Sequence, residues 1–564
     1  MEDLVYKYVL QNAVKYEGKA NIGSAIGKII SENPDLKNDM KSLSSIVSKL
    51  VKKVNSMKVE EQIKELENIA PELLHEKKKV EERRLPELPN VKDKVVLRIA
   101  PNPNGPLHIG HARMIILNDE YTKLYDGKLI LRFDDTDPKN ENKKPMKEAY
   151  GWAEHDLKWL NVNYSRVERA SARLEKYYNF FEQLISKDMA YVCTCEQEAW
   201  SELVRTKRKA CPCRSLSTNE NAKRWQDMLS GKYKEGEAVG RLKTSIYEDD
   251  PALVDWPTFR IVEQEHPLEK RFKVWPMLDF ASAYDDHDFG VTHILRGKDL
   301  LASEFKQKIL YNYLKWNYPE TLVYGKFVTS EEMIISKSKI AQGIKDGIFT
   351  GYDDPRLALL RAFKRRGIQP KAIRNYILSL GVTQHETSVD LDILFAENRK
   401  LIEADANRYF LVDDPVLIKI NNFKGTEVKL RLHPDFPERG VRKFIVGNEF
   451  YVSKTDFERM EDGKLNRLMD CCNFIKKGNT FTFDSLEYEK FKDVKNKGLT
   501  LHYVSAENNV NVKVVMDDGS IVKGLGESTL VNLKVNDLIQ AERRFFCKLD
   551  KIENDVYEFW FTHK

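Results

Sequence analysis

Around residue 100, the spacing of apolar positions changes from that of a strand to that of a helix. Residues 95–100 form a short run dominated by apolar and β-branched side chains, which is typical of a buried strand. Prolines and a glycine within residues 101–106 stop this strand, and apolar residues then recur at three- and four-residue spacing as far as Leu117. A second β-rich run covers residues 129–133. The pattern predicts a strand, a helix and a second, parallel strand, which is half of a nucleotide-binding fold.

The remaining patterns divide the 564-residue chain into several regions. An amphipathic helix over residues 43–54 lies in a Lys-rich N-terminal segment, and the strand and helix signals that stop near residue 191 resume near residue 272. We expect a multidomain α/β and all-β protein with these parts: an N-terminal helical extension (1–90), a split Rossmann-like nucleotide-binding domain (91–191 and 272–345), an insertion (192–271), a helical junction (346–405) and C-terminal β-barrels (406–564).

Two helices are predicted at residues 145–160 and 172–187, and Asp517–Gly519 is predicted to be a hairpin turn. In the junction, a helical stretch carries a basic cluster at Arg361 and residues 364–366, which suggests phosphate contact or a solvated helix face. The predicted strands of the last region are 416–420, 427–432, 443–452, 481–483, 499–504, 512–516, 541–548 and 556–561.

Composition narrows the protein class only slightly. The net charge of +5 permits nucleic-acid binding without requiring it. No apolar run approaches the roughly 18 residues of a membrane span, and no signal-peptide pattern opens the chain, so we expect a cytoplasmic protein without membrane contact. Seven cysteines in such a chain suggest thiols or metal ligands rather than disulfides.

Two histidines lie three residues apart at the start of the predicted helix. This spacing places His108 and His111 on one face, near backbone amides that attract phosphate. Gly110 between them leaves room for the close approach of a flat base. Residues 134–137, Asp-Asp-Thr-Asp, follow the second strand at the edge where parallel sheets bind ligands. An aspartate there can hold an ammonium group, and a solvated acidic loop or a metal site remains an alternative.

The insertion contains two close pairs of cysteines. Cys193 and Cys195 are separated by fifteen residues from Cys211 and Cys213, a spacing that a folded knuckle can close around one ion. Four thiolates suit tetrahedral zinc. Because the pairs are Cys-x-Cys rather than the commoner Cys-x2-Cys, a set of buried thiols without metal remains the alternative.

Arg296 ends the apolar run 290–296, which is predicted to be a buried strand. An arginine in that position needs an anion, and its planar guanidinium matches a substrate carboxylate through two parallel hydrogen bonds. The alternative is a structural ion pair with Asp285 or Asp286.

Two motifs carry a resemblance to a known family. Residues 98–113, with His-Ile-Gly-His at 108–111, resemble the first signature of class I aminoacyl-tRNA synthetases. Residues 333–340 resemble the lysine loop of the same class, with Ile334 where its first lysine would stand. The order of the parts, including the β-rich C-terminal region, is similar to that of glutamyl-tRNA synthetases of the archaeal type.

The resemblance implies ATP-dependent activation of glutamate and its transfer to tRNA, without a protein nucleophile. It also implies roles for individual residues. Leu278 stands where the family usually has a tyrosine facing the substrate, and Ser282 is expected to compensate. The implied sites are catalytic His108, His111 and Lys337; ATP-binding Pro103, Asn104, Gly105, Gly110, Ser336 and Ser338; glutamate-binding Arg98, Ala100, Asn102, Asp134, Leu278, Ser282 and Arg296; and zinc-binding Cys193, Cys195, Cys211 and Cys213.

The same resemblance implies that the protein binds ATP, Mg²⁺ and one Zn²⁺. It also implies that the insertion contacts the acceptor end of tRNA, that the β-barrels contact the anticodon, and that the protein is a monomer. Arginine at position 296 favours glutamate, because an amide substrate cannot offset the desolvation of a guanidinium. Glutaminyl-tRNA synthetase, a small nucleotidyltransferase and a non-catalytic tRNA-binding protein are the alternatives. Charging of tRNA(Gln) as well as tRNA(Glu) stays open.

Overall fold

A computed structural model describes residues 2–328 and 336–564, apart from residues 17, 34, 35, 37, 38, 71, 72, 74–84 and 142. The chain divides into two compact units, Met1–Arg84 and Leu85–Lys564. Within the described residues, none of the helices combines the length and apolar character needed to cross a membrane.

The N-terminal unit is helical, as predicted. The helices among its described residues are Glu2–Lys15, Ile22–Glu32, Met40–Asn55 and Val59–Ile69. The expected amphipathic helix is the third of these, and its apolar stripe is buried because Leu43, Val47 and Val54 are all fully inaccessible to solvent. The unit therefore has a hydrophobic core of its own.

A parallel sheet is the centre of the second unit. The predicted strands are present at Val96–Ile99 and Lys128–Phe133, and they pair in parallel with Leu97 opposite Leu129. A third parallel strand, Arg166–Arg169, was not predicted. A parallel pair, His293–Gly297 and Glu320–Tyr324, lies on the other side. The backbone of Thr292 donates to the carbonyl of Val96 at 3.0 Å, so this pair continues the sheet.

Helices cover this sheet and bury its largely apolar strands. The helix that follows the first strand runs from Ile109 to Leu124, two residues later than its apolar pattern begins. The helices predicted at 145–160 and 172–187 are slightly shorter than expected. The helices around the sheet are Ile109–Leu124, Lys147–Trp159, Leu174–Ser186, Leu278–Asp288 and Leu301–Leu314.

The insertion is built on an antiparallel sheet of four strands: Ala190–Cys193, Val239–Leu242, Pro257–Ile261 and Val274–Pro276. The last strand was expected to resume the nucleotide-binding fold. It instead pairs with the preceding one, Phe259 opposite Pro276, because a hairpin-like connection favours antiparallel pairing over a return to the parallel sheet. The helices of the insertion are Gln197–Trp200 and Thr218–Leu229.

The junction is helical, and its basic cluster makes structural contacts. Arg365 forms an ion pair with Asp550 and lies over the ring of Trp560, while Arg366 donates to the carbonyls of Phe561 and Thr562. These two arginines attach the junction to the last β-strands, so phosphate contact is not their role. The short strands Phe327–Val328 and Thr387–Ser388 pair alongside. The helix Lys337–Lys345 precedes the junction, whose α-helices are Leu360–Arg366, Pro370–Leu380 and Leu391–Ile402.

The C-terminal region is mainly β, with short α-helices at Lys454–Arg459 and Tyr488–Asp493 and 3-10 helices at Pro437–Arg439 and Ser528–Asn532. Two sheets of seven strands each have a separate hydrophobic core. In spatial order, the strands of one sheet are Asn407–Tyr409, Leu538–Ala541, Phe545–Glu553, Val556–His563, Asn509–Val515, Ile521–Glu527 and Leu411–Asp413. Those of the other are Thr500–Leu501, Leu465–Leu468, Asn473–Lys477, Thr480–Ser485, Pro415–Asn421, Glu449–Ser453 and Val504–Ser505.

The hairpin Thr426–Arg431 and Val441–Val446 completes this region. The turn predicted at Asp517–Gly519 is present, and Gly519 supplies its positive φ of 82°. Three predicted strands are each divided in two. A turn breaks the predicted strand 443–452 after Val446. A second turn at residues 542–544, where Arg543 adopts φ 61°, breaks 541–548. The predicted strand 499–504 is interrupted at residues 502 and 503.

Candidate active site

A cavity of about 560 Å³ opens at the carboxyl ends of the parallel strands. This is the edge at which open α/β sheets bind ligands. Six of the predicted site residues line it: Asn102, His108, Gly110, His111, Asp134 and Leu278. The other predicted residues of the nucleotide and amino-acid sites lie beneath it or around the turn before the histidine helix.

The two histidines cap the helix that carries them. His108 is the N-cap, and its Nδ1 accepts a hydrogen bond from the amide of Gly110 at 3.0 Å. The amide of His108 in turn donates to Nδ1 of His111 at 3.2 Å, and the two rings lie 3.9 Å apart between centroids. Since both Nδ1 atoms accept, each neutral ring carries its proton on Nε2. The pair therefore presents two N–H donors.

Burial keeps both imidazoles neutral. It lowers the pKa of His108 to about 3, and the positive charge of Lys337 adds to this effect. Burial also lowers the pKa of His111 well below its usual range, with further contributions from His108 and Lys337. At neutral pH the site therefore offers hydrogen-bond donors rather than imidazolium charges.

Gly110 is required by the ring of His108. A Cβ at this position would lie 2.8 Å from Cε1 and 2.9 Å from Nδ1 of His108, closer than non-bonded carbon atoms approach. The backbone on either side of the motif is fixed as well, because Ile109 donates to the carbonyl of Ala358 and Leu360 donates to that of Leu107. The histidine turn is thus attached to the helical junction.

Lys337 connects the second motif to the first. Its ammonium donates to Oδ1 of Asn104 at 2.6 Å and approaches the carbonyls of Asn102 and Gly105 at 3.3 and 3.4 Å. Burial lowers the pKa of Lys337 to about 8. The hydroxyls of Ser336 and Ser338 lie 3.2 Å apart at the start of the same helix. Residues 333–335, including Ile334, lie outside the described part of the chain.

Buried ion pairs adjoin the cavity through Asp134. Arg98 makes two hydrogen bonds to Asp286, at 2.8 and 3.2 Å, and this carboxylate raises the pKa of Arg98 although burial opposes it. Arg132 is fully buried and contacts both Asp285 and Asp134. The predicted Asp134 therefore lines the cavity with one oxygen already engaged. Asp285 and Asp286, the alternative partners proposed for Arg296, are paired with other arginines.

Arg296 is not among the residues that line the cavity, but it directly precedes Gly297, which does, and 4% of its surface is exposed. Its Nη2 donates to Oε1 of Gln307 at 3.1 Å and to the hydroxyl of Tyr318 at 3.0 Å, and its Nη1 reaches the carbonyl of Leu300 at 3.4 Å. Nε has no hydrogen-bond partner, and no carboxylate pairs with this guanidinium, within the part of the chain that the structure describes. A buried guanidinium with only neutral acceptors is a site for an anion.

Ser282, which was expected to compensate for Leu278, makes two hydrogen bonds within the protein. The hydroxyl of Ser282 donates to the carbonyl of Leu278 at 2.7 Å and accepts from Nε2 of Gln307 at 2.7 Å. Its only proton is therefore used within the protein. Leu278 itself lines the cavity and is 36% exposed.

The four cysteines of the insertion converge. Their sulfur atoms all lie within 4.8 Å of one another, with 3.9 Å between Cys193 and Cys211 and 3.7 Å between Cys195 and Cys213. Tetrahedral zinc with bonds of about 2.3 Å requires sulfur atoms about 3.8 Å apart, so the arrangement fits this ion. Arg224 donates to Cys213 at 3.2 Å, which suits a thiolate.

The residues around the site that the sequence did not predict include Gln307, Tyr318 and Arg113. Gln307 and Tyr318 contact Arg296 from a helix and a loop further along the chain. Arg113, on the histidine helix, donates to the carbonyls of Gly325 and Gly381 and lies over the rings of Tyr324 and Phe327. Only Arg113 had a signal in the sequence, since a charged residue on the apolar face of a predicted buried helix requires a partner.

Comparisons with known proteins agree with this geometry. Residues 94–403 match the family model described as tRNA synthetases class I (E and Q), catalytic domain, and residues 406–488 match the anti-codon binding domain of the same group. The chain belongs to the class I tRNA synthetases of this glutamate and glutamine group.

The similarity to curated relatives extends over the full length. The chain is 44% identical over 577 residues to the glutamate–tRNA ligase of Pyrococcus furiosus and 44% identical over 578 residues to that of Thermococcus onnurineus. It is 42% identical over 569 residues to that of Methanobrevibacter smithii, and 100% of both chains is covered in all three comparisons. The resemblance stated from the two motifs and the predicted fold class are confirmed.

Proposed function

We propose that this chain is a glutamate–tRNA ligase, which activates L-glutamate with ATP and transfers the glutamyl group to the 3′ end of tRNA(Glu). Family membership and full-length similarity to archaeal glutamate–tRNA ligases support the reaction class. The choice of amino acid rests on one observation: the buried Arg296 has no carboxylate partner among the described residues.

In the first step, an oxygen of the glutamate α-carboxylate attacks the α-phosphorus of ATP. The bond from that phosphorus to the bridging oxygen of the β-phosphate breaks, and pyrophosphate leaves. His108 and His111 each direct an Nε2–H toward the α-phosphate, where negative charge develops in the transition state. Neutral donors held by backbone amides stabilise this charge without reorganisation.

Lys337 would stabilise the leaving pyrophosphate. In the structure its ammonium contacts the turn 102–105, which is the turn assigned to ATP through Pro103, Asn104 and Gly105. When ATP is bound, the ammonium would turn from Asn104 to the phosphates. Ser336 and Ser338 flank it at the N-terminus of a nine-residue helix, where the dipole favours anions. Gly110 lines the cavity in which we place the nucleotide.

The remaining assignments concern glutamate. Arg296 would receive the side-chain carboxylate, Asp134 the α-amino group, and Arg98, Ala100 and Asn102 the region of the α-carboxylate. Asp134 and Asn102 line the cavity, and Oδ1 of Asn102 is buried without a hydrogen-bond partner in the described chain, so it is available to a donor. Leu278 would contact the substrate only through apolar surface.

In the second step, a hydroxyl of the terminal ribose of tRNA attacks the glutamyl carbonyl carbon, and AMP leaves. We assign binding of the acceptor end to the insertion and binding of the anticodon to the β-rich C-terminal region. The match of residues 406–488 to an anti-codon binding domain supports the second assignment. The helical junction connects the two regions.

We assign two metal ions. Mg²⁺ neutralises phosphate oxygens when it is bound, and it would arrive with ATP, because Asp134 and Asp137 of the cavity are already paired with Arg132 and Arg260. One Zn²⁺ would be held by Cys193, Cys195, Cys211 and Cys213, where it stabilises the fold of the insertion. We further propose a cytoplasmic monomer.

Aminoacylation of purified tRNAs tests this function. We expect labelled glutamate to be attached to tRNA(Glu) in an ATP-dependent reaction, and labelled glutamine to be rejected. The same assay with tRNA(Gln) shows whether the chain charges one tRNA or two. A preparation that attaches glutamine and not glutamate would make glutaminyl-tRNA synthetase the correct assignment, and a folded protein that binds tRNA without charging it would be a tRNA-binding protein.

A further inference from the structure

We propose that Gln307 and Tyr318 are positioning residues that aim Arg296 at the side-chain carboxylate of glutamate, and that their neutrality is what keeps this arginine available to the substrate. The inference deepens the proposed function and rests on it. Neither residue belongs to the sites assigned above.

The three side chains form a closed hydrogen-bonded triangle. Nη2 of Arg296 donates to Oε1 of Gln307 at 3.1 Å and to the hydroxyl of Tyr318 at 3.0 Å. The hydroxyl of Tyr318 then donates its own proton to the same Oε1 at 2.8 Å. Gln307 is 1% exposed, so water does not compete for these bonds.

The orientation of the Gln307 amide follows from its other neighbours. The proton of Ser282 is used on the carbonyl of Leu278, so the Ser282 oxygen acts as acceptor toward Gln307. Nε2 of Gln307 donates to it at 2.7 Å and approaches the carbonyl of Asp279 at 3.3 Å. Two acceptors on this side require the NH₂ group there, and the oxygen must face Arg296. Ser282 thus acts through Gln307 rather than on the substrate.

Arg296, like Arg113, has only neutral partners among the described residues, which distinguishes it from three other buried arginines nearby. Arg98 is paired with Asp286, and Arg132 and Arg173 are both paired with Asp285. Arg296 is held by an amide and a phenol. A carboxylate in place of the amide would make a similar contact but would neutralise the guanidinium from within the protein. The substrate would then have to compete with this internal partner.

Gln307→Glu is the decisive variant because it changes charge at nearly constant volume. We measure KM for glutamate, KM for ATP and kcat in tRNA-dependent aminoacylation with the full chain. The account predicts that KM for glutamate rises by about 100-fold or more, while KM for ATP changes by less than about twofold. Asn312→Asp is the matched control, since Asn312 is exposed on the same helix and undergoes the same chemical change.

Tyr318→Phe provides a second, milder test that removes one donor and one acceptor from the triangle. We expect KM for glutamate to rise by about 3- to 10-fold with an unchanged melting temperature. A Gln307→Glu enzyme with unchanged KM for glutamate, or variants in which both KM values rise together, would overturn the positioning role. Wild-type enzyme that does not use glutamate at all would instead refute the proposed function.

Discussion

Lys337 donates a 2.6 Å hydrogen bond to the side-chain oxygen of Asn104, although 233 residues separate them in the chain. The contact joins the lysine motif to the turn that precedes the histidine helix. The ammonium contacts residues 102–105, and the two histidines follow directly at residues 108 and 111, where backbone amides fix both rings. Donor groups held in this way stabilise developing negative charge with little reorganisation.

Loss of the motif side chains should affect chemistry more than binding. We expect His108→Ala, His111→Ala and Lys337→Ala each to slow glutamate-dependent ATP–pyrophosphate exchange. Each variant should lose about 2 to 4 kcal/mol of transition-state stabilisation, with a smaller change in KM for ATP. His385→Ala is a control, since this histidine is exposed and outside the cavity. Exchange rates that stay at the wild-type level in all three variants would refute these roles.

The activity should fall in alkaline solution because Lys337 loses its proton. Burial lowers the pKa of Lys337 to about 8, so kcat/KM for ATP, which reports the free enzyme, should decline as the pH rises through about 8. Lys337→Arg keeps the charge at high pH and should move this decline to a higher pH, even if its maximal rate is lower. An identical alkaline decline in both enzymes would assign it to another group.

The cysteine cluster should bind zinc. We expect about one zinc ion per chain by metal analysis, and loss of that ion when Cys193 and Cys211 are both replaced by serine. Cys547→Ala is the matched control, because this buried cysteine lies outside the cluster and its replacement should leave the zinc content unchanged. A purified protein without zinc, together with normal charging by the variant lacking all four cluster thiols, would show that the cluster is only a set of buried thiols.

Asp156 should destabilise the folded protein at alkaline pH. Burial raises its pKa from 3.8 to about 7, although Arg361 and Lys364 act in the opposite direction. The unfolded chain loses this proton near pH 4 and the folded protein only near pH 7, so the free energy of unfolding decreases between these values and stays lower above them. Asp156→Asn should therefore increase stability at pH 8 by on the order of 2 to 4 kcal/mol, and by less at pH 5.

Denaturant unfolding of both proteins at the two pH values measures this difference. If Asp156→Asn increases the free energy of unfolding equally at pH 5 and pH 8, ionisation of the Asp156 carboxyl group is not the cause of the increase.

Local signals in the sequence predicted much of the fold. The strand, helix and strand around residue 100 were recognisable because a period of two changes to 3.6 across a proline-rich turn. Breaks within β runs were missed. Residues 542–544 turn the chain with Arg543 at positive φ, and no glycine or proline marks that turn. The pairing of Val274–Pro276 with a strand of the insertion likewise depends on tertiary contacts, which the apolar pattern of the segment does not encode.

Some residues of the candidate site were likewise predictable from local sequence signals, and others were not. His108, His111, Asp134 and Arg296 were identified because each follows or begins a recognisable element. Gln307 was not, since a glutamine within a helix usually faces solvent and only the folded structure places it against Arg296. The junction arginines Arg365 and Arg366 were ambiguous for a related reason. A basic helix face binds phosphate or carboxylates equally well, and here Asp550 and backbone carbonyls are the partners.

Arg296 should select glutamate over glutamine, and amino-acid-dependent ATP–pyrophosphate exchange with tRNA present measures this selection. A guanidinium makes two charge-assisted bonds to a carboxylate but meets a donor on an amide. Wild-type enzyme should therefore prefer glutamate over glutamine by roughly 10⁴ or more in kcat/KM. Replacing Arg296 by alanine should abolish glutamate use while leaving glutamine use unchanged or higher. Equal use of both amino acids by the wild type, or intact glutamate activation in Arg296→Ala, would contradict the account.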